Sequence, residues 1–353
     1  MLRQSRKLAH LKLAQTLADG PCQNGFQDIR LVHNCLPNVG MADVSLHTSV
    51  AGLSLSHPFI INAVTGGAAD VEETNFLLAG IAKRTHSAMA VGSQYASLED
   101  KRMRDTFAIV RKTYPDGVLL ANLGAHVSPL QAQEAVDMIG AQALQIHLNV
   151  GQELIMQEGD RDFSGYLDRI AAIAQRLTVP VIIKETGCGM AAEQLLKIAE
   201  TGVAGIDVSG AGGTNFLAIE AARSGQSLSS DLSEWGISTA ISLLEAKAVL
   251  PPPISLVASG GIRSAADMAK ALAIGGHAVA VAGPIVRLLS TSPDAAVAWI
   301  ESRLYELRQI MILCGAQTLP ELAAAPLVIL GETAEWLRAR NLYPQERCAV
   351  KRT

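Results

Sequence analysis

Eight short apolar runs, each giving way to a small or polar turn and most then to a stretch with helical spacing, limit what this chain can fold into. They lie near residues 60, 89, 119, 145, 182, 207, 256 and 280 of a 353-residue sequence. Phe59 to Ala63 ends at V-T-G-G, and 71–85 follows with Phe76, Leu77, Ile81 and Ala82 on one helical face. Ala88 to Val91 ends at G-S-Q, and Gly117 to Ala121 at N-L-G. The spacing then predicts helices over 129–140, 162–177, 191–201, 239–249 and 264–274, alternating with strands from Ala143, Val179, Gly205, Ile254 and Ala278. Strand–helix units repeated in this way pair in parallel. Eight of them close more naturally into a (β/α)8 TIM barrel than into an open doubly wound sheet.

Residues 1–57 precede the alternation and form an N-terminal extension. Within it a basic helix is expected over 3–17, then a loop-rich stretch with a short hairpin around Ala51-Gly52. The barrel occupies 58–286. Residues 287–353 read as helices packed outside it.

Three turns in the second half share one composition. I-D-V-S-G-A-G-G-T-N-F (Ile206 to Phe216), S-G-G-I-R (Ser259 to Arg263) and A-G-P (Ala282 to Pro284) each follow a strand. Loops with so little side-chain bulk let backbone N–H groups approach an anion, and phosphate is the usual ligand for such a nest.

Composition excludes several partners. About half the residues are hydrophobic and the net charge is -4, so nothing favours nucleic acid or an anionic membrane surface. No apolar run approaches the roughly 20 residues of a membrane span, and the basic N-terminus lacks the apolar core of a signal peptide. Five scattered cysteines, none in a C-x-x-C pair, read as reduced thiols, with the cytoplasm as default compartment.

Active sites of such barrels lie at the loops after the strands. Those positions hold Thr65, Ser93, Gln94, Asn122, His147, Asn149, Gln152, Glu153, Lys184 and Glu185, besides the glycine turns. Lys184 ends a strand of β-branched residues and starts from a buried position. It can face an anionic ring, form a Schiff base or make a structural ion pair. Glu153, a lone carboxylate, reads either as a solvated loop residue or, beside phosphate, as the holder of a hydrated Mg²⁺. The charged run Glu158 to Phe163 reads as a cap for the next helix. Cys188, with no histidine near it in sequence, reads as a small loop residue.

The motifs R-K-L-A-H (Arg6 to His10), L-V-H-N-C-L-P (Leu31 to Pro37), V-T-G-G, G-S-Q, A-N-L-G, H-L-N-V-G-Q-E (His147 to Glu153), E-G-D-R-D-F, K-E-T-G-C-G (Lys184 to Gly189) and D-V-S-G-A-G-G-T-N-F occur in order at the strand ends. Together they resemble the type 2, FMN-dependent isopentenyl-diphosphate isomerases, from the N-terminus to about residue 286. The resemblance implies FMN across the barrel mouth, contacted by Ala63, Val64, Thr65, Ser93, Asn122, Lys184, Ser209 and Thr214. Its phosphate would be held by Gly260, Gly261, Arg263, Ala282 and Gly283. Arg6, Lys7, His10, Ser93, Gln94, Asn149 and Gln152 would hold the diphosphate substrate, with Mg²⁺ on Glu153. Gln152, Lys184 and His147 would serve catalysis. NADPH is the implied reductant of FMN, and a homo-oligomer, tetramer or octamer, the implied assembly.

Val64, Tyr95, Gln157 and Ser238 depart from the family's pattern, where Met, a basic residue, Pro and Pro are usual. A 2-hydroxyacid dehydrogenase on a similar barrel would need a histidine beside a Gly-Gly-Arg turn, and S-G-A-G-G-T has none. An inosine-monophosphate-dehydrogenase-like enzyme would need a cysteine after strand six, and none occurs between 189 and 313. A non-catalytic flavin-binding barrel would bind FMN without turnover.

Overall fold

The alternation closes on itself. In the computed structural model, which describes residues 13, 16–63 and 72–348, eight parallel strands form a closed barrel. They are β1 (Phe59–Ile61), β2 (Ala88–Ala90), β3 (Leu119–Gly124), β4 (Ala143–Leu148), β5 (Val181–Glu185), β6 (Gly205–Asp207), β7 (Ser255–Ser259) and β8 (Ala278–Val281). Each pairs with its successor, and Val279 of β8 meets Phe59 of β1 to close the ring.

The two-residue period of a strand sorts its side chains into two apolar clusters. Ile60, Ala90, Leu120, Ile182, Val257 and Ala280 fill the interior, whereas Ile61, Met89, Ala121, Ile183, Leu256 and Val281 pack against the helices. Alanine and glycine at many inward positions keep the interior narrow, so it is a packed core and not a channel. Ile60, Leu120 and Ile182 are each no more than 2 % exposed. Burying a side chain of that size contributes about 1.5–3 kcal/mol. Continuing inward along the same period, the C-terminal ends of six of the eight strands turn polar: Asn62, Asn122, His147, Lys184, Ser209 and Ser259. That change of chemistry on one face of the barrel is what makes a site.

The outer helices follow the expected stretches with shorter ends. They include α1 (Glu72–Thr85), α2 (Asp105–Thr113), α3 (Pro129–Ile139), α4 (Tyr166–Arg176), α5 (Ala192–Ala199), α6 (Thr239–Val249) and α7 (Ala265–Ile274). In α3, Ser128 and Gln131 form a capping box, Pro129 takes the first turn and Gly140 ends the helix at φ 54°. A Ser264/Asp267 box starts α7 in the same way.

The predicted hairpin is present as Thr48–Val50 and Leu53–Leu55. It plugs the end of the barrel away from the site: Ala51 N donates to Ser255 Oγ at 2.8 Å, and Val50, Ala51 and Leu55 join the interior cluster. Two expectations need correction. The loop-rich stretch contains a strand, Ile29–Leu31, which pairs antiparallel with Leu327–Ile329 in the C-terminal region read as purely helical. Three-residue strands carry too little periodicity to be seen in sequence, and it is the partner strand that stabilises each. Asp28 then accepts from Thr333 N at 3.0 Å and Thr333 Oγ1 at 2.9 Å. It thereby caps α9 (Gly331–Ala339) from more than 300 residues away. Between these elements the long α8 (Pro293–Leu313) packs on α1 and α7.

Candidate functional site

A cavity of about 420 Å³ opens at the C-terminal ends of the strands. Of the residues expected at the site, Ala63, Ser93, Asn122, His147, Asn149, Gln152, Glu153, Lys184, Ser209, Thr214, Gly260, Gly261, Arg263, Ala282 and Gly283 all line it. Arg6, Lys7, His10, Val64 and Thr65 lie outside the described residues.

Register explains the floor. Gly124, His147, Lys184 and Asp207 are successive partners across β3, β4, β5 and β6, so their side-chain positions form one row. Lys184 Nζ lies 3.0 Å from Asp207 Oδ2, 3.2 Å from Ser209 Oγ and 3.3 Å from Ser259 Oγ. Asp207, wholly buried, also accepts from Ser259 Oγ at 2.6 Å, Asn62 Nδ2 at 3.3 Å and Ser209 N at 3.3 Å. The ion pair is thus structural, yet Lys184 still lines the cavity. A Schiff base gains no support from a lysine engaged in this way.

Beside it, His147 Nδ1 donates to Asn122 Oδ1 at 2.9 Å, because the Asn122 amide nitrogen is directed to Gln145 Oε1 at 3.2 Å. Gln94 does not line the cavity as expected. It is fully buried, donates from Nε2 to the Ala135 carbonyl at 2.9 Å and accepts from Asn122 N at 3.0 Å. Its side chain fastens β3 to α3 behind Asn122, leaving no atom for a ligand.

The helix Val150–Ile155 carries Gln152 and Glu153. Gln152 Nε2 donates to the buried Glu220 at 2.8 Å, and Glu220 is held in turn by Arg223 Nε at 2.7 Å. Glu153 accepts from Asn149 Nδ2 at 2.9 Å and from Asp160 N at 3.0 Å. The run Glu158 to Phe163 does not cap α4, which starts from Gly165 without a side-chain cap. It ends the preceding helix instead: Arg161 donates to the carbonyls of Glu153, Met156 and Gly159 at 2.5–2.8 Å. This correction places Glu158 and Asp160 on the cavity wall.

Opposite, the three glycine turns interlock backbone to backbone. A Cβ on Gly213 would lie 2.5 Å from Gly261 N, and one on Gly283 would sit 3.3 Å from Thr214 Oγ1 and 3.4 Å from the Arg287 guanidinium. Arg263 and Arg287 both pair with the Asp19 carboxylate, the latter at 2.9 Å. Asp19 stands where an anion belongs, so the turns fit a phosphate group. Asn24 supports them by donating to Gly261 O at 2.7 Å. The donor set present fits a phosphate group at these turns, with Lys184 lining the same cavity.

Glu185 points away from this chemistry. Its Oε2 accepts the N–H groups of Thr186, Gly187, Cys188 and Gly189 at 2.5–3.2 Å, which folds the loop around it. Burial pushes its carboxyl up to about 7 against the pull of those donors and Lys184. Burial and the Glu185 charge push the Cys188 thiol up to about 12, which agrees with a small loop residue and not a nucleophile. The sequence reading missed Asp207, Asn62, Glu220, Asp19, Arg287 and His126. Asp207 was legible from strand alternation, two residues before Ser209. Glu220 and Arg287 sit on helices, and no local pattern singles them out.

Among the described residues no group of three or more His, Cys, Asp or Glu could hold a metal ion, and no helix is long and apolar enough to cross a membrane.

The profile of a family described as FMN-dependent dehydrogenase matches residues 119–328. Isopentenyl-diphosphate delta-isomerase of a Geobacillus species is 48% identical, covering 97% of both chains. That of Moorella thermoacetica is 47% identical over 97% of this chain and 98% of its own, and that of Staphylococcus aureus 40% over 96% and 97%. Among solved structures, a lactate oxidase of Pediococcus acidilactici superposes with a TM-score of 0.66 at 17% identity, covering 91% of this chain and 87% of its own. A mandelate oxidase with benzaldehyde superposes with a TM-score of 0.64 at 18% identity, covering 91% and 90%. At that identity the two oxidases attest the barrel alone.

Proposed function

The chain belongs to the isopentenyl-diphosphate delta-isomerase family, on the FMN-dependent dehydrogenase barrel, and we propose that it converts isopentenyl diphosphate to dimethylallyl diphosphate. The observation that carries this reading is the pairing of two poles in one cavity. The glycine turns with Arg263 and Arg287 suit a cofactor phosphate, and the Gln152–Glu153 pair stands across from them.

Moving the double bond adds a proton at C4 and removes one at C2, with no net redox change. Bound reduced FMN supplies an electron-rich ring whose nitrogens can carry those protons. The residues of the chain prepare the site for it. Lys184, fixed by Asp207, Ser209 and Ser259, lines the floor, where its ammonium would donate to an anionic ring when the cofactor is bound. Gln152 has its amide nitrogen committed to Glu220, so the plane of its carboxamide is set before substrate arrives and can position the alkene. Ala96, Met156, Phe216 and Val286 contribute apolar surface to the cavity that could receive a prenyl chain.

Glu153 offers one carboxylate edge, already oriented by Asn149 and Asp160 N. A single protein carboxylate fits Mg²⁺, which keeps several waters and takes its remaining ligands from a diphosphate. We assign NADPH as the reductant and a homo-oligomer as the assembly on the resemblance of the sequence, and the cytoplasm as the default compartment on its scattered cysteines. The five cysteines, all free, agree with a reducing compartment.

Anaerobic incubation with FMN, NADPH, Mg²⁺ and isopentenyl diphosphate tests the reading by formation of dimethylallyl diphosphate. A yellow protein that forms none would leave only a flavin-binding barrel. Hydroxyacid oxidation is disfavoured because the imidazoles on the described cavity wall stand after β3 (His126) and on β4 (His147), not at the glycine turn after β6.

A further inference from the structure

The isomerase reading requires the cavity to hold two anionic groups at once, and like charges must sit apart. The glycine turns after β6, β7 and β8 take one. The charge of the other has to be met at the opposite pole, and the wall there is otherwise acidic, with Glu153, Glu158 and Asp160.

Among the described lining residues, the cationic or protonatable nitrogens belong to Lys184, Arg263, His126 and His147. Lys184 is bound to Asp207 at the floor, and Arg263 to Asp19 at the glycine turns. Two imidazoles, those of His126 and His147, also line the cavity. They share one patch of wall: the point where a Cβ on Gly124 would stand is 2.8 Å from His126 Nδ1 and 3.3 Å from His147 Nε2. His126 is exposed on the rim, and its ring meets Tyr95 edge to face with centroids 4.6 Å apart and an interplanar angle of 71°. An imidazole N–H at this rim can donate to a phosphate oxygen.

We propose that His126, oriented by the Tyr95 ring, is a substrate-binding residue that receives the terminal phosphate of the diphosphate. His147, tied to Asn122 from the same wall, lies on the inner side of that contact. The proposal rests on the isomerase reading for the identity of the substrate, but its chemistry requires only a diphosphate.

The test compares wild type with His126→Ala and His126→Lys, each FMN-loaded. Two quantities are measured: steady-state isomerisation, and calorimetric binding of inorganic pyrophosphate with Mg²⁺. The expected result for His126→Ala is a KM at least tenfold higher, kcat within twofold and unchanged flavin content, with pyrophosphate affinity falling in parallel. His126→Lys, which places a donor and a positive charge at the same rim, should return both values to within threefold of wild type. An unchanged KM and pyrophosphate affinity in His126→Ala would overturn the proposal. So would a loss that falls on kcat or flavin content instead, or a lysine no better than alanine. If wild type itself isomerises nothing, the isomerase reading fails, and the pyrophosphate titration still decides the role of His126.

Discussion

Lys184 and Asp207 are register partners on adjacent parallel strands, and their side chains meet at 3.0 Å inside the barrel mouth. The two are not equally dependent on each other. Asp207 keeps three further donors, Ser259 Oγ, Asn62 Nδ2 and Ser209 N, if the ammonium is lost. Lys184 keeps two hydroxyls if the carboxylate is lost. Removing one partner of a buried pair strands the other charge. Asp207→Asn should therefore destabilise the FMN-free protein by about 3 kcal/mol, and Lys184→Met should cost clearly less. Urea unfolding of the two variants checks the order, and equal losses would contradict it.

Glu153 has one oxygen on Asn149 and the other on the backbone N–H of Asp160. Its geometry is therefore built without any metal, and Glu153→Gln should fold normally. What the variant loses is negative charge towards a divalent cation. The expected outcome is an apparent Mg²⁺ requirement raised by about tenfold or more, in keeping with one lost carboxylate contact. Retained turnover at saturating Mg²⁺ would accompany it. An Mg²⁺ titration of initial rate reads this directly.

Gln152 is held by Glu220, and Glu220 by Arg223. Truncating Gln152 to alanine leaves that carboxylate its arginine, so stability should change little. Positioning of the alkene should be lost. Misplacement of a reacting group by about 1 Å can cost on the order of 100-fold, and a fall of that size in kcat is expected. Flavin absorbance should be unaltered. A Gln152→Ala protein with wild-type kcat would remove Gln152 from the site.

The barrel itself was legible because period-two strands and 3.6-period helices leave different marks on a sequence, repeated eight times here. The glycine turns were legible for a related reason: backbone packed on backbone, as at Gly213 and Gly261, excludes every side chain. Pairings between distant segments were not. Ile29–Leu31 is stabilised as a strand by Leu327–Ile329, and Asp28 caps a helix that begins at Gly331. Gln94 misled for the opposite reason. It stands at a strand end in a polar motif, and only the structure shows its amide turned to Ala135 O. His126 went unnoticed because a lone histidine after A-N-L-G-A carries no spacing signal. Its meaning comes from Tyr95 and His147 beside it.

Two histidines at the far end of the barrel set a pH limit. His57 precedes β1, accepting from Phe59 N at 3.3 Å while its Nε2 donates to Thr85 O at 2.8 Å. His277 precedes β8 and accepts from Leu256 N at 3.0 Å. Burial lowers both below the ordinary imidazole value of 6.5, so the folded state holds these protons less readily than the unfolded chain. A folded-state value below the unfolded one means that the unfolded chain takes up protons first as pH falls. Their contribution is thus complete above pH 6.5 and is lost as pH drops below it. Glu185, raised to about 7 by burial, acts in the other direction: over the interval between 4.5 and about 7 the folded state holds its proton, so acidification there favours folding. Because Glu185 is present in both proteins, the difference between wild type and His57→Gln isolates one imidazole. His57→Gln can still donate to Thr85 O but loses the acceptor for Phe59 N, a cost of about 1 kcal/mol at pH 7.5. Between pH 7.5 and 5.5 the wild-type Tm should fall further than that of His57→Gln, narrowing the gap between them. Parallel lines of Tm against pH would show that His57 does not titrate with unfolding.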